Sequence, residues 1–579
     1  MLRRAPVVLL ACAGLAAGAA CGRGPRAQPL TSVLLVTVDT LRADRVGAYG
    51  DKEARTPRLD ALAQEGVLFE AAFTPVPLTL PAHATLLTGL LPPQHGVRGN
   101  GSFALRRSPL TLAEAMKRRG LTTAAFVGAF PVARRFGLDR GFDVYDDAFE
   151  RAPGLHFDFA ERRGDRVVDA AAAWLSTTPG AVFLWVHLYD PHAPYDPPEG
   201  FRGPDPYRGE VAFADAMLGG LLRAWDARPE PSVVAVTSDH GEAFGEHGEE
   251  SHGLFVYDTT LHVPLVLRGA GLPKARRVAE RVSIADLAAT LAGLAGAEPL
   301  PGSSLTRFAS APPARSAAPL YAETLAPRLD FGWSELRSWR EGRYKYVRAP
   351  RPELYDVVAD PGETRNLAGS SPQVAARLEA ELDAAVARWG DAESRRGPDP
   401  EAAERLRSLG YVQGPEGRGS GADPKDRLEV ARLIARAVGP FATPQELIAA
   451  YKQIARRDPD NPLVSFRLAD ALLRAGRTGE AITLFRRVVA SGPRSPDPYV
   501  GLATALAQQG QLDDAKHTLQ QALLVDAASG QAHFNLGEIA RLQGDAAAAR
   551  SHYDAARADP VTRQRAEARL ASLASGGKP

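Results

Sequence analysis

Five short runs of apolar and β-branched residues, at 32–38, 123–127, 181–188, 232–237 and 263–267, constrain this chain more than any other feature. Each has the length of a strand. Each is also too continuously apolar to leave one face in water, so both faces must be covered. Helical periodicity separates the runs, for example at 57–64, 112–119, 209–225 and 284–294. This alternation predicts an α/β fold, a doubly wound and mostly parallel sheet with helices on both faces. Ligands of such folds gather beyond the carboxyl ends of strands. Asp39 follows the first run, Asp190 the third and Asp239-His240 the fourth, so connectivity brings three acidic candidates to one edge.

The chain has 579 residues, enough for several domains at about 150 residues each. Apolar residues make up 45% and charged residues 24%, which is the balance of a packed protein and not of a disordered one. A formal net charge of +1 supplies no electrostatic case for nucleic acid. Cysteine occurs only at Cys12 and Cys21, which excludes a disulfide framework and a cysteine-rich zinc site. Residues 1–21 read as an export signal: Arg3 and Arg4, an uncharged stretch too short to span a bilayer, then Gly18-Ala19-Ala20-Cys21. That ending is similar to a bacterial lipobox, although leucine is usual where Gly18 stands. The expectation is an exported lipoprotein, periplasmic or anchored in the outer membrane through Cys21, with a lipid as its only membrane attachment. Cleavage without lipidation is the alternative.

The C-terminal part repeats. Gly476, Gly510 and Gly544 stand 34 residues apart, as do Ala481, Ala515 and Ala549, and Leu468, Leu502 and Leu536. The bulky set Phe485, Leu519 and Tyr553 keeps the same step. A glycine turn between two amphipathic helices at this period is the tetratricopeptide pattern, an all-α solenoid. Leu447, Tyr451 and Pro459 fit one register earlier. Residues 428–575 are assigned to the repeats and 396–427 to a linker, whose 414–426 stretch is rich in Gly, Pro and charge.

The stretch Thr79-Leu80-Pro81-Ala82-His83, followed by an apolar segment ending in Thr88-Gly89, resembles the sulfatase nucleophile signature. That signature reads Cys or Ser, any residue, Pro, Ser, Arg; here threonine, alanine and histidine take the first, fourth and fifth places. Val38-Asp39-Thr40 resembles the opening metal motif of the sulfatase and alkaline phosphatase superfamily, and Ser238-Asp239-His240-Gly241 its second metal motif. Sulfatases more often carry Asp-Asn there, whereas Asp-His is similar to phosphonate monoester hydrolases and lipoteichoic-acid synthases. The resemblance implies a catalytic domain over 32–395, with a small antiparallel C-terminal subdomain. It implies one divalent metal ion (Mn, Zn or Ca) held by Asp39, Thr79, Asp239 and His240. Carboxylate and imidazole donors suit such an ion.

Thr79 is then the nucleophile. Pro81 is expected at the first helical position, which puts Thr79 just before a helix N-terminus that favours a phosphate or an oxyanion. His192 and His252 match positions that contact the transferred and leaving groups, and imidazole can move a proton near neutral pH. His83 stands to orient the Thr79 segment. His95, His187, His247 and His262 are read as structural, and Arg98 and Asn100 as weak candidates for substrate binding. A two-zinc site lacks its third histidine, because none occurs between His262 and His517. A single-metal site is the expectation, although Asp190 and His192 could in principle recruit a second ion.

These readings converge on a sulfatase-family hydrolase or transferase of phosphate, phosphonate or sulfate esters, with Thr79 in place of formylglycine. The substrate would be an envelope or extracellular glycan or lipid, and the repeats would bind a protein partner. A genuine sulfuric ester hydrolase is one alternative. A weakly active scaffold that works through its repeats is another. The loops at 152–165 and 199–207 carry no recognisable substrate code.

Overall fold

A computed structural model of the protein describes residues 30–149, 161–310, 318–395, 419–437 and 443–574. The leader 1–21 with Cys12 and Cys21, most of the 152–165 loop and the first part of the predicted linker lie outside the described residues.

The main sheet has eight strands, β1 (Ser32–Val38), β2 (Val67–Phe73), β3 (Thr122–Val127), β4 (Val144–Asp146), β5 (Val182–Leu188), β6 (Ser232–Ser238), β7 (His262–Gly269) and β8 (Arg276–Ser283). Their order is β4-β3-β5-β1-β6-β7-β2-β8. Every pairing is parallel except those of β7, which runs against β6 and β2. The five apolar runs are β1, β3, β5, β6 and β7. The other three strands hide from a search for apolar runs: β2 carries Glu70 mid-strand, β4 is three residues long, and β8 is largely charged.

All seven residues of β1 are buried, and its side chains alternate between two cores. Val33 and Leu35 join the layer that packs the helices Thr79–Thr88, Leu112–Arg119 and Asp286–Ala295. Leu34, Val36 and Val38 join the opposite layer, against Pro57–Glu65, Gly164–Thr177 and Pro206–Asp226. A two-residue period in the strand thus meets helices on both sides. Local signals set the helix ends. Thr111 and Glu114 form a reciprocal capping box before Leu112–Arg119, and Gly120 ends that helix at φ 101°.

A second, antiparallel sheet follows, in the order β12-β11-β10-β9: β9 (Leu320–Thr324), β10 (Leu336–Glu341), β11 (Tyr344–Arg348) and β12 (Glu353–Asp356). The helix Pro372–Trp389 covers it through Leu378 and Leu382. Buried charges tie this sheet to the main domain. Arg98 donates twice to Glu323, at 2.6 Å each, and once to Asp391 at 2.7 Å.

Antiparallel helix pairs make up the C-terminal part. Gly476, Gly510 and Gly544 turn between the two helices of successive pairs at φ 74°, 78° and 79°, a region that favours glycine. This array is docked on the catalytic domain. Phe331 and Trp333 stack on one another and enter one apolar cluster with Ile434, Tyr451 and Leu463. Trp333 Nε1 donates to Asp458 at 2.8 Å. The described end of the predicted linker is docked as well: Ser334 N donates to the Ala422 carbonyl at 2.9 Å, and Arg351 pairs with Asp426 at 2.8 Å. The Gly-rich composition there reflects close backbone approach to Gly332, where a Cβ on Gly419 would fall 1.9 Å from a carbonyl oxygen.

Candidate active site

Register brings the site together. Val38 pairs with both Leu188 and Ser238, so Asp39 and Asp239 leave adjacent parallel strands at one level. Leu78 is extended and Thr79 opens the helix, so Thr79 is its first residue and Pro81 its third. The expectation that Pro81 starts the helix is off by two positions. Proline is tolerated there because the first N–H groups of a helix have no partner within it. The side chain of Asn100 satisfies one of them, accepting from Leu80 N at 2.9 Å. Asn100 thus shapes the nucleophile turn.

Thr79 Oγ1 lies 3.4 Å from His240 Nε2. His240 Nδ1–H donates to the Gly241 carbonyl at 2.9 Å, which leaves Nε2 as a lone-pair donor atom facing inward. That atom is 3.7 Å from Asp39 Oδ1 and 3.5 Å from Asp239 Oδ2. The other oxygen of Asp239 accepts from His240 N at 2.9 Å. Both oxygens of Asp39 and Oδ2 of Asp239 are buried without a hydrogen-bond partner. Buried, unpartnered carboxylate oxygens are costly, and a cation among them removes the cost. Burial pushes Asp39 up to about 7, and burial with the neighbouring Asp39 carboxylate raises Asp239. Burial opposes the charged form of His240, but Asp239 and Asp39 outweigh it and its pKa is raised. The donor chemistry therefore fits a divalent cation, and Asp39, Asp239 and His240 have their donor atoms within 4.8 Å of one another.

His83, His187 and Asp239 satisfy the same proximity criterion. His83 is not a donor there, because both its nitrogens are engaged. Nδ1–H donates to the Thr79 carbonyl at 2.8 Å, and Nε2 accepts from Thr37 Oγ1 at 3.1 Å. Trp185 Nε1 in turn donates to that hydroxyl at 3.1 Å. His83 thus braces the first turn of the nucleophile helix. His187, read as structural in the sequence, stands on the site instead, with Nε2 3.3 Å from Asp39 Oδ2 and neither nitrogen hydrogen-bonded. Burial lowers it to about 4, so it is neutral.

His252 and His192 stand beside this group, the His252 ring 4.4 Å from that of His240 and 5.2 Å from that of His192. His252 Nδ1 meets Glu242 Oε1 at 2.9 Å, and Tyr195 donates to the other oxygen at 3.0 Å. Burial raises the Glu242 pKa and lowers that of His252. The sequence reading did not single out Glu242, though it lies two residues after His240. His192 Nδ1 lies 2.8 Å from the Tyr189 hydroxyl and 2.6 Å from the Ala193 carbonyl.

Asp190 departs from the expected convergence. Its Oδ2 accepts from Gly164 N at 2.8 Å, at the start of the helix Gly164–Thr177, and burial pushes it up to about 6. It therefore serves a helix end, and among the described residues it joins no metal-ligating group of three or more with His192. Arg98 is spent in its ion pairs with Glu323 and Asp391 under the small sheet. His95 bonds Thr85 and Val97, His262 stacks on Phe73, and His247 stacks on Tyr257.

A parallel sheet with this acidic, histidine-rich edge defines an enzyme that hydrolyses esters. Residues 31–297 match the sulfatase family model, and residues 444–506 and 472–536 match that of the tetratricopeptide repeat. The chain thus joins a domain of the sulfatase family to tetratricopeptide repeats. It is 25% identical over 432 residues to a delta 4,5-hexuronate-2-O-sulfatase of Bacteroides thetaiotaomicron, covering 60% of this chain and 87% of that one. It is 26% identical over 494 residues to human arylsulfatase A, covering 67% and 93%. A phosphonate monoester hydrolase of Agrobacterium radiobacter shares the fold at TM-score 0.52 and 24% identity, over 62% of this chain and 96% of that one. Members of this superfamily use a divalent metal, and the donor groups above suit one.

Proposed function

We propose that this protein transfers phosphoryl or phosphonyl groups from esters, with Thr79 as the covalent nucleophile. One observation carries the reading: the Thr79 hydroxyl points at His240 Nε2 beside the unpartnered oxygens of Asp39 and Asp239. Asp39, Asp239, His240 and the Thr79 hydroxyl would hold one Mn, Zn or Ca ion. Such an ion would supply Lewis-acid stabilisation of the nucleophile and of charge on the transferred group.

Thr79 Oγ1, its proton already released to solvent, attacks phosphorus in line as the bond to the leaving oxygen breaks. A proton shared by Glu242 and His252 passes through His252 to that oxygen, and the alcohol leaves neutral. His252 then takes a proton from the water that attacks the phospho-threonine, which restores the proton held with Glu242 and releases Thr79 deprotonated, as it began. His192 contacts the transferred group, and His83 holds the Thr79 turn. Threonine cannot become a formylglycine hydrate, which leaves a sulfate ester no second exit. Phosphorus accepts repeated in-line displacement, which favours phosphate and phosphonate.

The sulfatase names of the relatives support the second reading, a sulfuric ester hydrolase. Turnover of nitrophenyl phosphate, phenylphosphonate and sulfate esters decides between the two, and no turnover of any of them leaves the scaffold. A phosphorylated Thr79 peptide trapped by mass spectrometry is the expected result, and its absence during rapid phosphate turnover would overturn the nucleophile. We also propose export with lipidation at Cys21. Cys21→Ser should then release the protein from membranes. The repeats would hold a protein partner near an envelope or extracellular glycan or lipid ester.

A further inference from the structure

The catalytic cleft does not end at the sulfatase domain. A cavity of about 440 Å³ opens from His192 and His252 and runs outward between two walls. One wall is catalytic-domain surface, with Leu78, Leu254 and Phe331. The other is the first helix of the C-terminal part, Leu428–Ala437, which presents Leu428, Ala431 and Ala435. That helix is fixed in place. Arg432 Nη2 donates to the Gly248 carbonyl at 3.0 Å, and its Nε lies 3.1 Å from Glu250. Leu428 packs on Gly248 so closely that a Cβ there would lie 2.6 Å from its Cδ1.

Position and charge define what this cavity takes. A group seated beyond His252 is on the leaving side of the reaction. Among the described residues, the one arginine or lysine lining the cavity is Arg432, which is held by Glu250 and Gly248. Three acids line it as well, Glu249, Glu250 and Asp330, of which Glu250 is the partner of Arg432. Burial pushes Glu249 up to about 8 and raises Asp330, so the cavity wall disfavours charge on both. A polyanionic saccharide finds no counter-charge here, whereas an alkyl or aryl body finds apolar walls on both sides.

We propose that the C-terminal helix Leu428–Ala437 completes the leaving-group pocket, and that the substrate is an ester of a neutral alcohol with an extended apolar body. This rests on the reading of Thr79 and His252 as the reacting groups. It narrows the substrate to a lipid-like or aryl ester and makes the C-terminal part a component of the enzyme.

The test uses the full chain and a series of 4-alkylphenyl phosphates and phenylphosphonates, methyl to hexyl, in which the leaving-group pKa is nearly constant. The wild type should gain about threefold in kcat/KM per added methylene. Ala431→Trp and Ala435→Trp should flatten that dependence, and Ala431→Leu should reduce it, with melting curves confirming folded protein. Binding of 4-hexylphenol by calorimetry reads the pocket without turnover and should be lost in the same variants. Thr79-dependent turnover with no chain-length effect would overturn the inference, as would unchanged slopes in both Trp variants or a preference for an anionic sugar ester. Absence of any Thr79-dependent turnover would instead strike the proposed function, and the calorimetry would still decide the pocket.

Discussion

Two of the clusters of buried charge in the catalytic domain are built in opposite ways. Under the small sheet, Arg98, Glu323, Asp391 and Arg337 neutralise one another, and each carboxylate meets a guanidinium. At the strand ends, Asp39 and Asp239 face each other, a neutral His187 and a His240 that two carboxylates share, with three oxygens unpartnered. The first cluster is closed and fastens two sheets. The second is open by one positive charge, and folding alone does not explain it. An internal deficit of charge, more than burial itself, separates a site from a strut.

The largest effect expected from that contrast is at Thr79. Thr79→Ala should cut turnover about a thousandfold or more, measured at saturating substrate, and Thr79→Ser should recover part of it. Asp239→Asn should lose the bound metal by elemental analysis and most activity, yet raise the melting temperature of the metal-free protein, because it removes an uncompensated buried charge. A lower metal-free melting temperature would break the comparison. Arg98→Met should do the reverse, costing about 3–5 kcal/mol in denaturant unfolding by stranding Glu323.

A smaller effect falls on leaving-group chemistry. Glu242→Gln should slow alkyl esters about a hundredfold and nitrophenyl esters much less, since a good leaving group needs no proton. Uniform slowing would remove Glu242 from proton transfer. The smallest effect is on pH. Glu249 is protonated in the folded protein up to about 8, against an ordinary 4.5, because it is buried. Its contribution to stability is therefore full below about pH 4.5 and lost as pH rises through about 8. Glu249→Gln should flatten melting temperature across that window, and an unchanged profile would show the carboxyl to be solvated.

Asp39, Asp239 and His240 were legible in the sequence because each stands at a strand end, where fold geometry converts position into convergence; Thr79 was legible only through the resemblance of its segment to the sulfatase signature. Asp190 fulfils the same condition, yet its carboxylate turns to Gly164, and no pattern in the sequence sets that torsion. His187 lies inside β5, opposite Thr37, and reads like any buried strand residue until the neighbouring strands place it on Asp39. The strands β2 and β8 escaped because Glu70 and the arginines of β8 break the apolar run while backbone pairing continues. Docking of the repeats was hidden in Phe331, Trp333 and Asp458, whose contacts span more than a hundred residues of chain.

The way the repeats are seated gives them a use as a ruler. One apolar cluster runs from Phe331 and Trp333 through the array as far as Leu536 and Ile539, whereas Phe534, Tyr553 and Ala566 at the far end form a cluster of their own. The near end is anchored against the cleft and the far end touches only its neighbours, so repeats added or lost distally leave the pocket intact. Each helix stacked on the array moves its tip by about 8–10 Å. Evolution can thus tune the distance at which the enzyme works from whatever the tip grasps, one repeat at a time, without altering the chemistry.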